Sequence, residues 1–328
     1  RGYRWRASLA LLQDMQRARV PSGVVGPSVA IAACEKVARW REALCLLREL
    51  PLARLVPDSI CYSSAISACE KAHRWEQALQ MLKDMHQEVR QANVISCSAA
   101  MSACEKGQRW QKVLTLLTEM GALRVRPNVV SYTSAISACE KGLQWQRSLL
   151  LLMDMEAQTL KADVATFTSA IAACAVGSCW ESSLRILEGM REQGVMANLC
   201  SYNAALSACG RGGRWLEQLW FLQVMRSREV LPDTVSYNAA ISACAASLHW
   251  AGALGLLAAS HQGRLEPSII GRLDALHACS AGQQAPVRAL LLQGIRSRAG
   301  QLARDRAGVH WPELAAAAAA LQETRRGS

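Results

Sequence analysis

Phenylalanine is almost missing, with two residues in 328, and tyrosine is sparse at five, yet there are ten tryptophans. That imbalance excludes a core built on ordinary aromatic usage and implies that tryptophan is placed for a purpose. Only nine residues are proline and 51% are apolar, which excludes a disordered or collagen-like chain. No apolar run approaches the roughly 18 residues that cross a bilayer, so a membrane-spanning helix is excluded and no membrane partner is expected. The thirteen cysteines contain no C-x-x-C and sit mostly in apolar settings. They read as small, buried, reduced core residues rather than as a disulfide framework. Acidic side chains are outnumbered, 26 against 37 Lys and Arg, for a formal charge of +11. Such a balance favours a polyanionic partner, a nucleic acid or an anionic surface. The chain begins with Arg1 rather than Met, from which a fragment is expected, with any targeting peptide outside it.

What is abundant is repetition. Trp5, Trp40, Trp75, Trp110, Trp145, Trp180, Trp215 and Trp250 are each 35 residues apart, and Cys34, Cys69, Cys104, Cys139, Cys174, Cys209, Cys244 and Cys279 keep the same interval. A fixed period of this size marks units that bury their apolar faces only against their neighbours. Seven complete units occupy 24–58, 59–93, 94–128, 129–163, 164–198, 199–233 and 234–268. Residues 1–23 are the second half of an earlier unit. Residues 269–303 keep Cys279 but carry Ala285 where Trp is due, a degenerate unit, and 304–328 read as a C-terminal capping helix or tail. Within 129–163, Val129, Tyr132, Ile136 and Cys139 follow a helical stripe, Asn128 suits an N-cap, Gly142 suits a helix C-terminus, and 145–155 form a second helix. Each unit is thus a helix-turn-helix, and the expected fold is all-α, a right-handed α-solenoid with first helices on its concave side.

The second, fifth, ninth and thirteenth positions of each first helix lie within about 80° of one another. The second column is mainly β-branched and apolar: Val25, Ile60, Ile95, Val130 and Val235, with Ala165 and Cys200 between. The fifth is a small hydrogen-bonding residue throughout: Ser28, Ser63, Ser98, Thr133, Thr168, Asn203 and Asn238. The thirteenth is Lys36, Lys71, Lys106, Lys141 and Arg211, with Val176 and Ala246 as exceptions. The last residue of each unit is Asp58, Asn93, Asn128, Asp163, Asn198, Asp233 or Ser268. N-capping accounts for the last column and the helix dipole for the cations, so both stay open to a structural reading. Neither accounts for the fifth, since Ser, Thr and Asn are mediocre helix-interior residues. Apolar surface, hydrogen-bonding group and cation on one stripe match the face, edge and phosphate of a nucleotide, one per unit.

The period, the pattern V-x-S-Y-[NT]-x-A-I-S-A-C and the Pro-Asp or Pro-Asn endings resemble the plain 35-residue type of pentatricopeptide repeat (PPR) protein, over about 24–268. The resemblance implies single-stranded RNA as partner, with the fifth and last residues of a repeat selecting a base, the second sandwiching it and the thirteenth meeting the backbone. Carried over, Ser28 with Asp58 implies G, Ser63 with Asn93 A, Ser98 with Asn128 A, Thr133 with Asp163 G, Thr168 with Asn198 A, Asn203 with Asp233 U, and Asn238 with Ser268 a pyrimidine. The implied core is GAAGAU followed by C or U, read 5′ to 3′ along the chain. Pro27 and Cys97 depart from the usual Tyr, and Leu273 with Ala303 should read nothing.

The resemblance further implies an address in a mitochondrion or plastid and RNA-processing factors as additional partners. Some members of that family carry catalytic domains. Here His86-Gln87-Glu88 matches H-x-E, but no C-x-x-C completes a zinc deaminase site, and the six histidines show no ligand spacing. No enzyme activity, cofactor, metal site or small-molecule substrate is expected. The competing reading is a helical scaffold that holds an acidic peptide. Restricted fifth and last columns argue against it, because a peptide reader has no need of them.

Overall fold

The computed structural model describes residues 3–17, 23–52, 55–88, 93–262, 265 and 268–281. The second half of the degenerate unit and the tail at 304–328 lie outside these residues. The described residues form sixteen α-helices and no strand. The chain divides into two compact units, residues 1–173 and 174–328.

In the first unit, α1 (Tyr3–Arg17) precedes four helix pairs: α2 (Val25–Lys36) with α3 (Trp40–Leu52), α4 (Ser59–Lys71) with α5 (Trp75–Glu88), α6 (Val94–Lys106) with α7 (Trp110–Ala122), and α8 (Val129–Lys141) with α9 (Trp145–Ala157). Helix α10 (Val164–Val176) opens the next repeat. The first helices α2, α4, α6 and α8 pack in a row, each on the next, while α3, α5 and α7 each pack on their own partner and on the following first helix, and α9 packs on α8. In the second unit α11 (Trp180–Glu192) leads to α12 (Leu199–Arg211), α13 (Trp215–Ser227), α14 (Thr234–Ala246), α15 (Trp250–Gln262) and α16 (Ile269–Ala281), with α12, α14 and α16 in the corresponding row. The fold is an all-α solenoid of stacked helix-turn-helix repeats.

The core recurs with the period. Tyr132, Ile136 and Cys139 are buried on α8, as are their counterparts Tyr202, Leu206 and Cys209 on α12. From the second helices Met85, Met120, Met155, Met190 and Met225 add a column of fully enclosed thioethers that the sequence reading did not single out. Burial pushes the Cys69, Cys104, Cys139 and Cys244 thiols up to about 11. Since the thiolate is the reactive form, thiol labelling of the native protein at pH 7.5 is expected to mark the exposed Cys45 and Cys200 within minutes and to leave this column unmodified until denaturant is added. Labelling of Cys139 at the rate of Cys45 would contradict the packing.

Tryptophan opens each second helix, and its purpose is inter-repeat closure. At several of them a side chain from the next repeat covers the ring: Arg39 over Trp5, Arg74 over Trp40, Arg109 over Trp75 and Arg214 over Trp180, with guanidinium carbons 4.5–5.3 Å from the ring centres. Where Gln144 takes the Arg column, Arg147 reaches Trp110 instead at 4.8 Å, and where His249 takes it the imidazole stacks on Trp215 at 4.1 Å. Each stack adds about 0.5–1 kcal/mol at a partly exposed site.

Gly142 ends α8 as expected, but not through a left-handed backbone: its φ is −85°, and Leu143 follows with φ 59°. Glycine is needed at 142 because a Cβ there would stand 2.3 Å from Trp110 Cδ1, and Gly107 and Gly212 make the same room for Trp75 and Trp180. Gly142→Ala is therefore expected to cost about 1–3 kcal/mol, an overpacking cost limited because Ala72 occupies the same column two repeats earlier. Gly189→Ala, where nothing lies within 4 Å of the new Cβ, is expected to stabilise by about 0.5–1 kcal/mol. Urea denaturation of the two variants should show opposite signs.

Candidate nucleic-acid interface

From α4 on, each first helix starts on the last residue of the preceding repeat, which is both cap and candidate base reader, whereas α2 has Val24 at its N-cap and no side-chain cap. Asp58 Oδ1 accepts from Cys61 N–H at 2.8 Å, Asn93 Oδ1 from Ser96 N–H at 2.7 Å, Asn128 Oδ1 from Ser131 N–H at 2.9 Å and Asp163 Oδ1 from Thr166 N–H at 2.8 Å. In the second unit Asn198 and Asp233 cap through Ser201 N–H and Ser236 N–H at 2.9 and 2.8 Å, and Ser268 Oγ accepts from Gly271 N–H at 3.2 Å. Each cap contributes about 0.5–2 kcal/mol. Capping is thus a real duty of the column, and it leaves the second carboxylate oxygen of each Asp or the amide NH2 of each Asn for other partners.

The second column is laid open. Val25, Ile60, Ile95, Val130 and Val235 are 53–72% exposed although apolar and in the first turn of well-packed helices. The fifth column lies one turn further along the same face. Ser28 and Ser63 hydroxyls donate back to the carbonyls of Val25 and Ile60, at 2.9 and 3.1 Å, and Ser98 and Thr168 to those of Val94 and Val164. Thr133 Oγ1 lies 2.8 Å from the Val129 carbonyl and 2.6 Å from Thr166 Oγ1. Asn203 Nδ2 donates to Asp233 Oδ1 at 3.3 Å, bringing fifth and last residues of one repeat into direct contact. Asn238 keeps its Oδ1 buried with no hydrogen-bond partner among the described residues.

Between successive first helices this arrangement makes a cleft. One of about 310 Å³ is lined by Val130 and Ala165 of the second column, Thr133 of the fifth, Asp163 of the last, and by Glu105, Ser134, Ser137 and Ser169. It is at the small end of the volume range of ligand sites. Apolar residues of two repeats flank it, and a hydroxyl and a carboxylate of one repeat share its wall.

The cations are not bare. Lys71 Nζ pairs with Glu35 at 2.8 Å, Lys106 with Glu70 at 3.0 Å and Lys141 with Glu105 at 2.9 Å, each lysine reaching the first helix before its own. Ser137 Oγ also donates to Glu105, at 2.7 Å. Arg211 Nη1 donates to the Ala175 carbonyl at 3.5 Å in the second unit. Lys36 ends α2 exposed. An ammonium has three donors and each glutamate takes one, so the row remains a line of partly exposed cations along the stripe.

Sequence reasoning missed the third residue of the following repeat. Ser131, Thr166 and Ser236 each touch both the fifth and the last residue of the repeat before: Ser131 Oγ lies 3.4 Å from Ser98 Oγ and 3.0 Å from Asn128 Oδ1, and Thr166 Oγ1 lies 2.7 Å from Asp163 Oδ1. The only signal was the Ser of V-x-S-Y, which reads as an ordinary helix-start residue.

Family models agree with the period. The pentatricopeptide repeat domain model matches residues 80–141 and 150–212, and the PPR repeat model matches 60–88 and 200–230. The chain belongs to the pentatricopeptide repeat family. No curated protein matches it in sequence. Among solved structures, the maize pentatricopeptide repeat protein PPR10 is 18% identical with a TM-score of 0.54, over 99% of this chain and 52% of that one. PPR10 in complex with an 18-nucleotide psaJ RNA element is 16% identical with a TM-score of 0.53, over 91% and 48%. This pentatricopeptide repeat chain spans about half the length of these structures, and at such identity the likeness is one of fold. Among the described residues no group of three His, Cys, Asp or Glu could hold a metal ion, and no helix is long and apolar enough to cross a membrane.

Proposed function

We propose that this chain binds single-stranded RNA, one base per repeat, with a preferred core GAAGAU followed by C or U, and serves without catalysis as an adaptor in organellar RNA processing, stability, editing or translation. The observation that carries this reading is the cleft between α8 and α10. Its apolar flanks belong to two successive second-column residues, and its polar wall joins the fifth and last residues of one repeat. A flat base fits such flanks, and its edge would meet groups whose hydrogen-bonding character varies from repeat to repeat. Membership of the pentatricopeptide repeat family and the RNA element bound by PPR10 support the choice of RNA over peptide.

The test is affinity, at one near-physiological salt concentration, for RNA containing GAAGAUC beside a scrambled RNA and a pool of acidic peptides. Selective binding to the first is expected; equal weak binding to both RNAs would reject base-by-base reading, and preferential peptide binding would establish a scaffold instead. Asp233→Asn is further expected to move the favoured base at its repeat from U toward C. The same RNAs varied at the sixth nucleotide check it, and an unmoved preference would return Asp233 to its capping duty alone.

A further inference from the structure

Two repeats of the second unit carry Asn in the fifth column but differ at the third residue of the repeat that follows. Behind Asn203 stands Ser236; behind Asn238 stands Gly271. We infer that the third-column hydroxyl is a specificity-determining residue: acting through the fifth residue, Ser236 fixes which edge of the Asn203 amide faces the base. The inference rests on the RNA-binding reading and assigns it a residue outside the base-selecting pair.

Ser236 Oγ lies 2.5 Å from Asn203 Oδ1 and 2.9 Å from Asp233 Oδ1 and accepts from Asp233 N–H at 3.2 Å, while Asn203 Nδ2 donates to Asp233 Oδ1 at 3.3 Å; with Asp233 Oδ1 already supplied by Asn203 and the Ser236 N–H, the hydroxyl proton goes to Asn203. Turning the amide over would set Asn203 Oδ1 against the Asp233 carboxylate, acceptor against acceptor. Burial alone would raise the Asp233 carboxyl, but hydrogen bonds, that from the Ser236 N–H foremost, hold it below the ordinary aspartate value, so that clash persists at neutral pH. Asp233 thus excludes the turned amide, and Ser236, by holding Oδ1, keeps the amide from swinging away from that carboxylate, with one Nδ2 hydrogen left over. A base meeting Asn203 therefore meets a donor. Uracil answers with its O4 acceptor, and its N3–H can donate to the carboxylate. Cytosine presents an amino donor and an N3 acceptor at the same places, two mismatches.

At Asn238 the lock is missing. Gly271 has no side chain, a Cβ there would stand 2.4 Å from Asn238 Oδ1, and that oxygen has no hydrogen-bond partner among the described residues. The last residue is Ser268, whose oxygen accepts from Gly271 N–H, and no carboxylate opposes either amide orientation. Asn238 can offer donor or acceptor at similar cost, so its repeat accepts both pyrimidines. In the first unit Thr133, Thr166 and Asp163 form a hydroxyl relay of the same plan, at 2.6 and 2.7 Å.

The experiment measures affinity for GAAGAUC variants with U or C at the sixth or seventh nucleotide and G or A at the second, using the wild-type chain, Ser236→Ala and Ser236→Thr. The wild type is expected to prefer U over C at the sixth nucleotide by about tenfold or more and to discriminate at the seventh by less than about threefold. Ser236→Ala is expected to bring the sixth below about threefold, with A over G at the second nucleotide unchanged, and Ser236→Thr to keep the wild-type ratio. Ser236→Ala retaining that ratio would overturn the inference while leaving RNA binding intact. Loss of discrimination at the second nucleotide as well would make Ser236 a folding residue only and overturn it too. Absence of selective RNA binding in the wild type would instead reject the function on which it rests.

Discussion

Replacing Lys36, Lys71, Lys106 and Lys141 together by alanine is expected to weaken binding to every single-stranded RNA by about a hundredfold near 0.15 M salt and to reduce the slope of log affinity against log salt by about 3. Four phosphate contacts, each releasing roughly 0.7 of a counterion, account for both figures. The ion pairs add a second effect. Removing Lys71, Lys106 and Lys141 frees the carboxylates of Glu35, Glu70 and Glu105 on the face the RNA would cross. Adding Glu35→Gln, Glu70→Gln and Glu105→Gln should recover part of the affinity and none of the slope. Stability should hardly change in either set, because pairs this exposed contribute about 0–1 kcal/mol each. A filter-binding salt titration decides the matter, and a slope equal to that of the wild type would mean that these lysines serve only their glutamates.

Ile136→Ala is expected to cost about 2–4 kcal/mol, while Val130→Ala, six residues away on the same helix, costs less than about 0.5 kcal/mol. Ile136 is fully enclosed on α8 between neighbouring helices, and Val130 is 53% exposed. In an array whose repeats touch only their neighbours, the cavity left by Ile136 weakens the seams beside it rather than the whole chain, so the urea transition should broaden as well as shift. RNA affinity should report the reverse order, with Val130→Ala reducing binding wherever the flanking base must stack. If Val130→Ala destabilises as much as Ile136→Ala, the second column is packed and cannot receive a base.

The helices, their caps and the buried stripe could be read from the chain because they depend on residues three to seven apart, spacings the helix itself dictates. Asn128, Tyr132, Ile136 and Cys139 stand as their period requires. What escaped reading depends on the offset between successive helices. Lys141 meets Glu105 at a separation of 36 residues, Thr133 meets Thr166 at 33, and Trp110 finds Arg147 of the next repeat. No single repeat states those offsets; they follow from how far one helix pair is shifted and turned against the next. Gly142 was legible as a helix end, but the Trp110 ring it makes room for, from the repeat before, was not.

Asn203 lies on α12, Asp233 sits before α14, and Ser236 is already inside it. A 35-residue block cut from 199 to 233 and moved elsewhere would take two of these three with it and leave the third behind. Any exchange of blocks, by recombination in a genome or by an engineer, therefore edits two letters at once, the one it carries and the one its new neighbour was already spelling.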